Sequence, residues 1–75
     1  MRDPFIQQIT YRIEFDHYGY HYYQPTVYYS LKRALYWLNY HRVKSGSGYV
    51  LRLYAFKGDD RLQEITEETI NALYN

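Results

Sequence analysis

The segment from Tyr49 to Lys57 constrains the fold of this chain more than any other part of the sequence. Its side chains alternate, and both of the resulting faces are largely apolar or aromatic. A strand with two apolar faces is typical of the interior of a sheet, where neighbouring elements cover both sides. We therefore expect Tyr49–Lys57 to be a central strand.

Candidate partner strands precede and follow this segment. Residues 5–16 alternate between an apolar face that begins at Phe5 and a polar face, which is typical of a half-buried strand. Asp16-His17-Tyr18-Gly19 is typical of a type I turn with glycine at a positive φ, so residues 20–23 would return as a second strand. Gly58-Asp59 fits a two-residue hairpin loop at the end of Tyr49–Lys57.

A helix is expected between these strands. Pro25-Thr26 favours a helix start with Thr26 as the N-cap, and apolar residues follow with helical spacing. They form one stripe: Val27, Leu31, Ala34, Leu35 and Leu38. Three basic residues stand near the C-terminal end, where cations complement the helix dipole. They are His41, Arg42 and Lys44.

The last part of the chain admits two interpretations. Residues 61–65 fit a fourth strand followed by a helix capped by Thr66, but apolar residues from Leu62 onward also fit one longer helix that starts near Asp60. A faint internal repeat favours the first interpretation, because both halves then consist of strand, turn, strand and capped helix.

We expect a single α+β domain over residues 1–75. A small antiparallel sheet of three to four strands would carry two helices on one face, in the order ββαββα or ββαβα.

Composition narrows the classes of function. The 75 residues include no cysteine, which excludes a disulfide framework and a thiolate zinc site. No apolar stretch has the length of a membrane span or the form of a signal peptide, so we expect a cytoplasmic protein, in the host cytoplasm if the source is viral.

Between His17 and Gly58 there is no acidic residue, whereas ten of the twelve tyrosines and all three histidines lie there with six lysines and arginines.

The outer face of the expected helix is unusual for a solvated surface. At about 100° per residue, the side opposite the apolar stripe carries Tyr29, Arg33, Tyr36 and Tyr40, with Trp37 beside it. Solvated helix faces normally carry Glu, Lys or Gln, whereas Tyr, Trp and Arg are enriched in binding hot spots. We expect a partner-binding face here. Two alternatives stay open: the second helix or the second strand covers these side chains, or the tyrosines are exposed without a role.

These features predict a non-enzymatic interaction module that binds a partner protein, or a second copy of itself as a homodimer, through the Tyr/Arg/Trp face. A small tyrosine-rich domain of this kind would suit a phage or mobile-element inhibitor of a host protein. The alternative is nucleic-acid binding by the basic, aromatic segment 17–58, with Lys32, Arg42 and Lys44 as anion contacts. Acidic residues of segment 59–68 would weaken the case for either function if they folded beside these cations and neutralised them.

No sequence pattern predicts catalysis, a cofactor or a metal site. The chain has no G-x-S-x-G motif and no phosphate-binding glycine loop, and a hairpin turn explains the acidic pair Asp59-Asp60. His17 and His21 have the i, i+4 spacing of helical zinc ligands, but the turn at Gly19 separates them. We expect the tyrosines around Tyr20 to pack across strands against residues 9–15.

Overall fold

The computed structural model describes residues 8–74, with side chains for residues 8–72. The elements follow the expected order ββαββα. The strands are β1 (Ile9–His17), β2 (Tyr20–Tyr23), β3 (Tyr49–Lys57) and β4 (Asp60–Glu64), and the helices are α1 (Leu31–Lys44) and α2 (Glu67–Tyr74). The strand start predicted at Phe5 lies outside the described residues.

The four strands form one antiparallel sheet in the order β2-β1-β3-β4, so β3 is central as predicted. β1 and β3 pair over their full length, from Ile9 opposite Lys57 to His17 opposite Tyr49. β1 passes into β2 through the two-residue loop Tyr18-Gly19, in which both residues have a positive φ, 53° and 90°. This is the pattern of a type I′ turn. The prediction of a type I turn was wrong, because the twist of the two strands matches only the primed turns.

The core lies between one face of the sheet and the helices. Along β1 and β3 every second side chain points to this face, and Ile13 and Leu53, which pair across the strands, are fully buried. Leu38 of α1 packs in the same cluster, as the apolar stripe predicted. Ile65, which follows β4, belongs to the cluster too, and Ile70 of α2 packs against it. Both helices therefore contribute to one core on one side of the sheet.

The opposite face of the sheet, which we call the open face, is covered by its own long side chains. Nη1 of Arg52 donates to Oε1 of Glu14 at 3.0 Å and to Oδ2 of Asp16 at 3.2 Å. Glu14 is therefore only 7 % exposed although it lies away from the helices. Phe56 is buried in a similar way, because the guanidinium of Arg12 lies over its ring at 4.4 Å. The carboxylates of Glu14 and Asp16 and the ring of Phe56 thus have partners within the protein.

Helix α1 begins later than the sequence predicted. Thr26 is not its N-cap, because the segment before the helix is held extended beside β1. There the N–H of Tyr28 donates to the carbonyl of Tyr11 at 2.9 Å, and the N–H of Tyr11 donates to the carbonyl of Tyr28 at 2.8 Å. Ser30 is the N-cap, and its Oγ accepts from the N–H of Arg33 at 3.3 Å. The prediction of Thr26 as the N-cap was wrong because helical periodicity carries no information about pairing with a distant strand.

The last part of the chain contains the fourth strand, which decides between the two interpretations. β4 pairs with β3 across the loop Gly58-Asp59, and Gly58 has the positive φ, 62°, that a glycine-first hairpin loop requires. Thr66 caps α2 as predicted, since its Oγ1 accepts from the N–H of Thr69 at 3.3 Å. Residues 60–64 therefore form a fourth strand of the described sheet and are not part of one long C-terminal helix.

Candidate functional site

Helix α1 carries positive charge and no acidic residue. Its exposed cations are Lys32, Arg33, Arg42 and Lys44. Among the side chains that the structure describes, no carboxylate lies within ion-pairing distance of these four, and the ion pairs present involve Arg12, Arg52 and His21. Asp59, from the acidic segment, lies 3.8 Å from Arg12 instead. The acidic residues of segment 59–68 thus form no direct ion pair with α1 in the described part of the chain.

Three aromatic rings form a ridge along the exposed side of α1. Trp37 is half-buried and contacts the rings of Tyr36 and Tyr40 edge to face, with centroids 5.1 Å apart in each case. Tyr36 is 64 % exposed and Tyr40 is 42 % exposed. Nζ of Lys44 lies 5.8 Å from the Tyr40 centroid, within reach of a cation–π interaction. The second helix and the second strand leave these two tyrosines uncovered.

Tyr29 lies on the same side of the molecule but is not part of the helix. It precedes the N-cap Ser30 and is 66 % exposed. Together with Arg33 and Trp37 it lines a groove of about 660 Å³ between α1 and the connection from β2. The structure therefore brings Tyr29 next to the predicted helix residues even though the helix starts after it. We call the set Tyr29, Arg33, Tyr36, Trp37 and Tyr40 the α1 surface.

Side-chain hydrogen bonds hold the other wall of this groove. The hydroxyl of Tyr28 donates to Oε1 of Gln24 at 2.9 Å, and Nε2 of Gln24 donates to Nε2 of His41 at 3.0 Å. Burial raises the pKa of Tyr28 above its usual 10.0, and the hydrogen bond to Gln24 partly offsets the rise. These contacts join the connection to α1, so the groove is formed before any partner arrives.

The residues of this wall were missing from the predicted site. Gln24, Val27, Tyr28 and His41 all line the groove. The first three lie in a non-helical connection that has no periodicity. Its position depends on the pairing of Tyr28 with β1, so no local sequence signal could have placed it.

A second hollow lies on the other side of Arg33 and Trp37. It measures about 570 Å³, and Lys32 and Tyr36 line it together with Arg33 and Trp37. Arg33 and Trp37, one helical turn apart, therefore stand between two hollows that each combine aromatic walls with a cation. Such hollows suit an apolar side chain next to a carboxylate, which a guanidinium binds through two parallel hydrogen bonds.

The three predicted anion contacts do not form one cluster. Nη2 of Arg42 donates to the carbonyl of Leu51 at 3.2 Å, so part of its guanidinium ties the end of α1 to β3. Arg42 also lines a small hollow of about 310 Å³ with Tyr49. Lys32 and Lys44 stand at opposite ends of α1, about 18 Å apart along a helix axis.

The three histidines are dispersed. His17 stacks on the ring of Tyr49 with centroids 4.2 Å apart, His21 lies beside the carboxylates of the open face, and His41 accepts from Gln24. Within residues 8–74, no three His, Asp or Glu side chains are grouped in a way that could hold a metal ion.

Comparisons with protein-family models, with curated proteins and with solved structures find no match to this chain. Neither helix of the described part of the chain is long and apolar enough to cross a membrane. The basis for a functional assignment is therefore the α1 surface itself.

Proposed function

We propose that the protein is an interaction module that binds an acidic region of a partner protein through the α1 surface. The cations of α1 would contact carboxylates, and the rings of the ridge would contact apolar side chains. The role includes no catalytic step, cofactor or metal. A module that acts by covering part of a partner's surface suits an inhibitor of a host protein encoded by a phage or mobile element.

The observation that carries the proposal is the combination of exposed rings with cations that have no acidic partner in the described part of the chain. Single exposed apolar side chains are common and need no explanation. Tyr, Trp and Arg together are different, because they bury large areas and form strong, directed hydrogen bonds in hot spots. A positive surface also steers acidic partners and repels basic ones.

A second copy of this chain is a less suitable partner. Homodimers most often have two-fold symmetry, which would place one α1 against the other. Because α1 has four exposed cations and no acid, like charges would then face each other. The charge of α1 therefore favours a different protein with an acidic surface.

Selection from a displayed library of random peptides tests the proposal. Peptides enriched on the wild-type protein should contain Asp and Glu next to large apolar residues. They should bind the double variant Tyr36→Ala/Tyr40→Ala at least about tenfold more weakly, because truncating one hot-spot residue costs more than about 1 kcal/mol.

Two control variants separate the α1 surface from general surface effects. Lys57→Ala and Leu62→Ala change exposed residues on β3 and β4, away from α1, and should bind the peptides as the wild type does. Circular dichroism of the tyrosine double variant should be unchanged, since loss of the fold would mean that Tyr36 and Tyr40 are core residues. Enriched peptides without acidic residues, or equal binding by the double variant, would contradict the proposal.

Nucleic-acid binding by the same surface is the competing outcome. Cations beside aromatic rings also suit single-stranded nucleic acid, whose phosphates meet the cations and whose bases stack on the rings. An acidic protein is favoured because Arg42 is partly engaged with Leu51, and because the net charge of +1 is small for a nucleic-acid-binding domain. A thymidine oligonucleotide that binds more tightly than the selected peptides, with an affinity that falls steeply with salt, would decide for nucleic acid.

A further inference from the structure

We infer that the partner-binding surface continues beyond α1, along aromatic rings that cross the sheet and end at the β1–β2 hairpin, and that it holds an extended acidic segment of the partner. The inference rests on the proposed function and extends the area that the partner covers. It assigns the hairpin tyrosines, which the sequence explains only as cross-strand packing, to the same interface.

Ring contacts connect α1 to the hairpin without a break. From Trp37 the path leads to His41, with centroids 6.2 Å apart, and then to Phe15 of β1 at 5.6 Å. Phe15 stacks on its cross-strand neighbour Tyr22 at 5.3 Å with ring planes 4° apart, and Tyr22 lies 5.9 Å from Tyr20. Every ring on this path is at least partly exposed. We call this set the aromatic belt: Tyr36, Trp37, Tyr40, His41, Phe15, Tyr22 and Tyr20.

Packing within the chain explains only part of the hairpin. Tyr22 stacks on Phe15, which confirms the expected cross-strand packing for that residue. Tyr20 is nevertheless 70 % exposed, and Tyr18 at the turn is 81 % exposed. Two large exposed rings near the tip of one hairpin add apolar surface of the kind that marks interaction sites.

Tyr18 also has a backbone conformation that suits other residues better. Its φ of 53° lies in the left-handed region, and type I′ turns favour Asn, Asp or Gly at this position. Its ring lies so close to Gly48 that a Cβ on that glycine would be 2.6 Å from Cζ of Tyr18. Strained backbone is often found at binding sites, so the left-handed conformation of Tyr18 together with its exposed ring supports a role of the ring in binding.

The charges around the belt complement the same acidic partner. β2 contains no acidic residue, and Arg42 stands beside Tyr49 near the hairpin end of the belt. The nearby carboxylates of Glu14 and Asp16 point to the open face, where Arg52 binds both of them. The side of the sheet that carries the belt therefore presents rings and cations.

The spacing of the rings suits an extended peptide. Successive centroids from Trp37 to Tyr20 are 5.3 to 6.2 Å apart. Side chains on one face of an extended strand repeat every two residues, or about 6.6 Å. A segment with apolar residues at alternate positions can therefore contact the rings one after another, while acidic residues on the same face, at the α1 end of the segment, reach the cations of α1.

A random copolymer of glutamate and tyrosine is a suitable probe, and fluorescence of the single tryptophan, Trp37, reports its binding. The helix variant Tyr36→Ala/Tyr40→Ala is compared with the hairpin variant Tyr18→Asn/Tyr20→Thr. Asparagine is favoured in the turn and threonine in a strand, so the hairpin variant should keep its fold, which circular dichroism checks.

Both variants should weaken binding of the copolymer by about tenfold or more, and Leu62→Ala should leave it unchanged. If only the helix variant weakens binding, the belt inference is wrong and the proposed function stands. If neither variant does so, or the copolymer does not bind, the proposed function fails as well. A thymidine oligonucleotide that displaces the copolymer at a lower concentration would assign the belt to nucleic acid. Should the hairpin variant lose its fold, Tyr20→Thr alone is judged by the same criterion.

Discussion

Replacing Tyr18 with asparagine is expected to give a more stable protein than replacing it with alanine. Both variants remove the ring, whose centroid lies 4.7 Å from the centroid of the His17 ring and which contacts Gly48. Alanine keeps the conformational cost of a φ of 53°, whereas asparagine tolerates the left-handed region. The comparison therefore separates the backbone cost from the contacts of the ring.

The backbone cost sets the size of the effect. A residue with a Cβ pays about 1–2 kcal/mol in the left-handed region, and asparagine removes part of this cost. The free energy of unfolding should therefore differ by about 1 kcal/mol between the two variants. In a domain of this size, about 1 kcal/mol corresponds to about 4–8 °C in Tm. Because the Tyr18 ring is largely exposed, the asparagine variant should be no less stable than the wild type.

Thermal and urea unfolding, followed by circular dichroism, measure this difference. Tyr20→Asn is the matched control, because Tyr20 lies in β2 without a positive φ and asparagine is unfavourable in strands. It should destabilise the protein. Equal stability of Tyr18→Asn and Tyr18→Ala would refute the left-handed conformation of Tyr18, and the strain argument for the hairpin would fail with it.

Two further predictions concern the open face. Arg52→Met should lower the free energy of unfolding in urea by about 1.5–3 kcal/mol, because the buried carboxylate of Glu14 loses a charge-assisted hydrogen bond. The lower end is expected because the Arg52 side chain is 31 % exposed, and adding Glu14→Gln should recover most of the loss. Asp16→Asn should make acid unfolding less steep. The N–H of Gly19, with smaller effects of Arg52 and His21, lowers the pKa of Asp16 below its usual 3.8. Because the pKa of Asp16 is higher in the unfolded chain, the unfolded chain binds more protons as the pH falls. The ionised Asp16 therefore stabilises the fold fully above its unfolded-state pKa, and this stabilisation is lost as the pH falls through the lowered pKa of the folded state. Identical acid transitions for the wild type and Asp16→Asn would contradict this account.

β1 and β3 were predictable because the alternation of their side chains specifies them. Gly58-Asp59 fitted a hairpin loop, but periodicity left residues 61–65 open between a fourth strand and one longer helix. The start of α2 was predictable because the cap is the side chain of Thr66 itself. The start of α1 was not predictable, because Tyr28 takes its extended conformation from hydrogen bonds to Tyr11 in another element.

The candidate site also has one part that the sequence predicted and one part that it did not. The exposed positions of Arg33, Tyr36 and Tyr40 follow from helical periodicity, so the sequence predicted them. The groove and the aromatic belt depend on contacts between distant elements, such as His41 with Gln24 and His41 with Phe15. Those contacts depend on how the hairpin packs beside the helix, which no sequence spacing encodes.

Nuclear magnetic resonance mapping of the bound glutamate–tyrosine copolymer on isotope-labelled protein tests the central claim most directly. Changes in amide chemical shifts should concentrate in α1, at Tyr29 and in the hairpin from Tyr18 to Tyr22, and they should diminish as salt is added. The amides of β4 and α2 should remain unchanged. Shift changes centred on β4 or α2, or spread evenly over the chain, would contradict a binding surface made of the α1 cations and the aromatic belt.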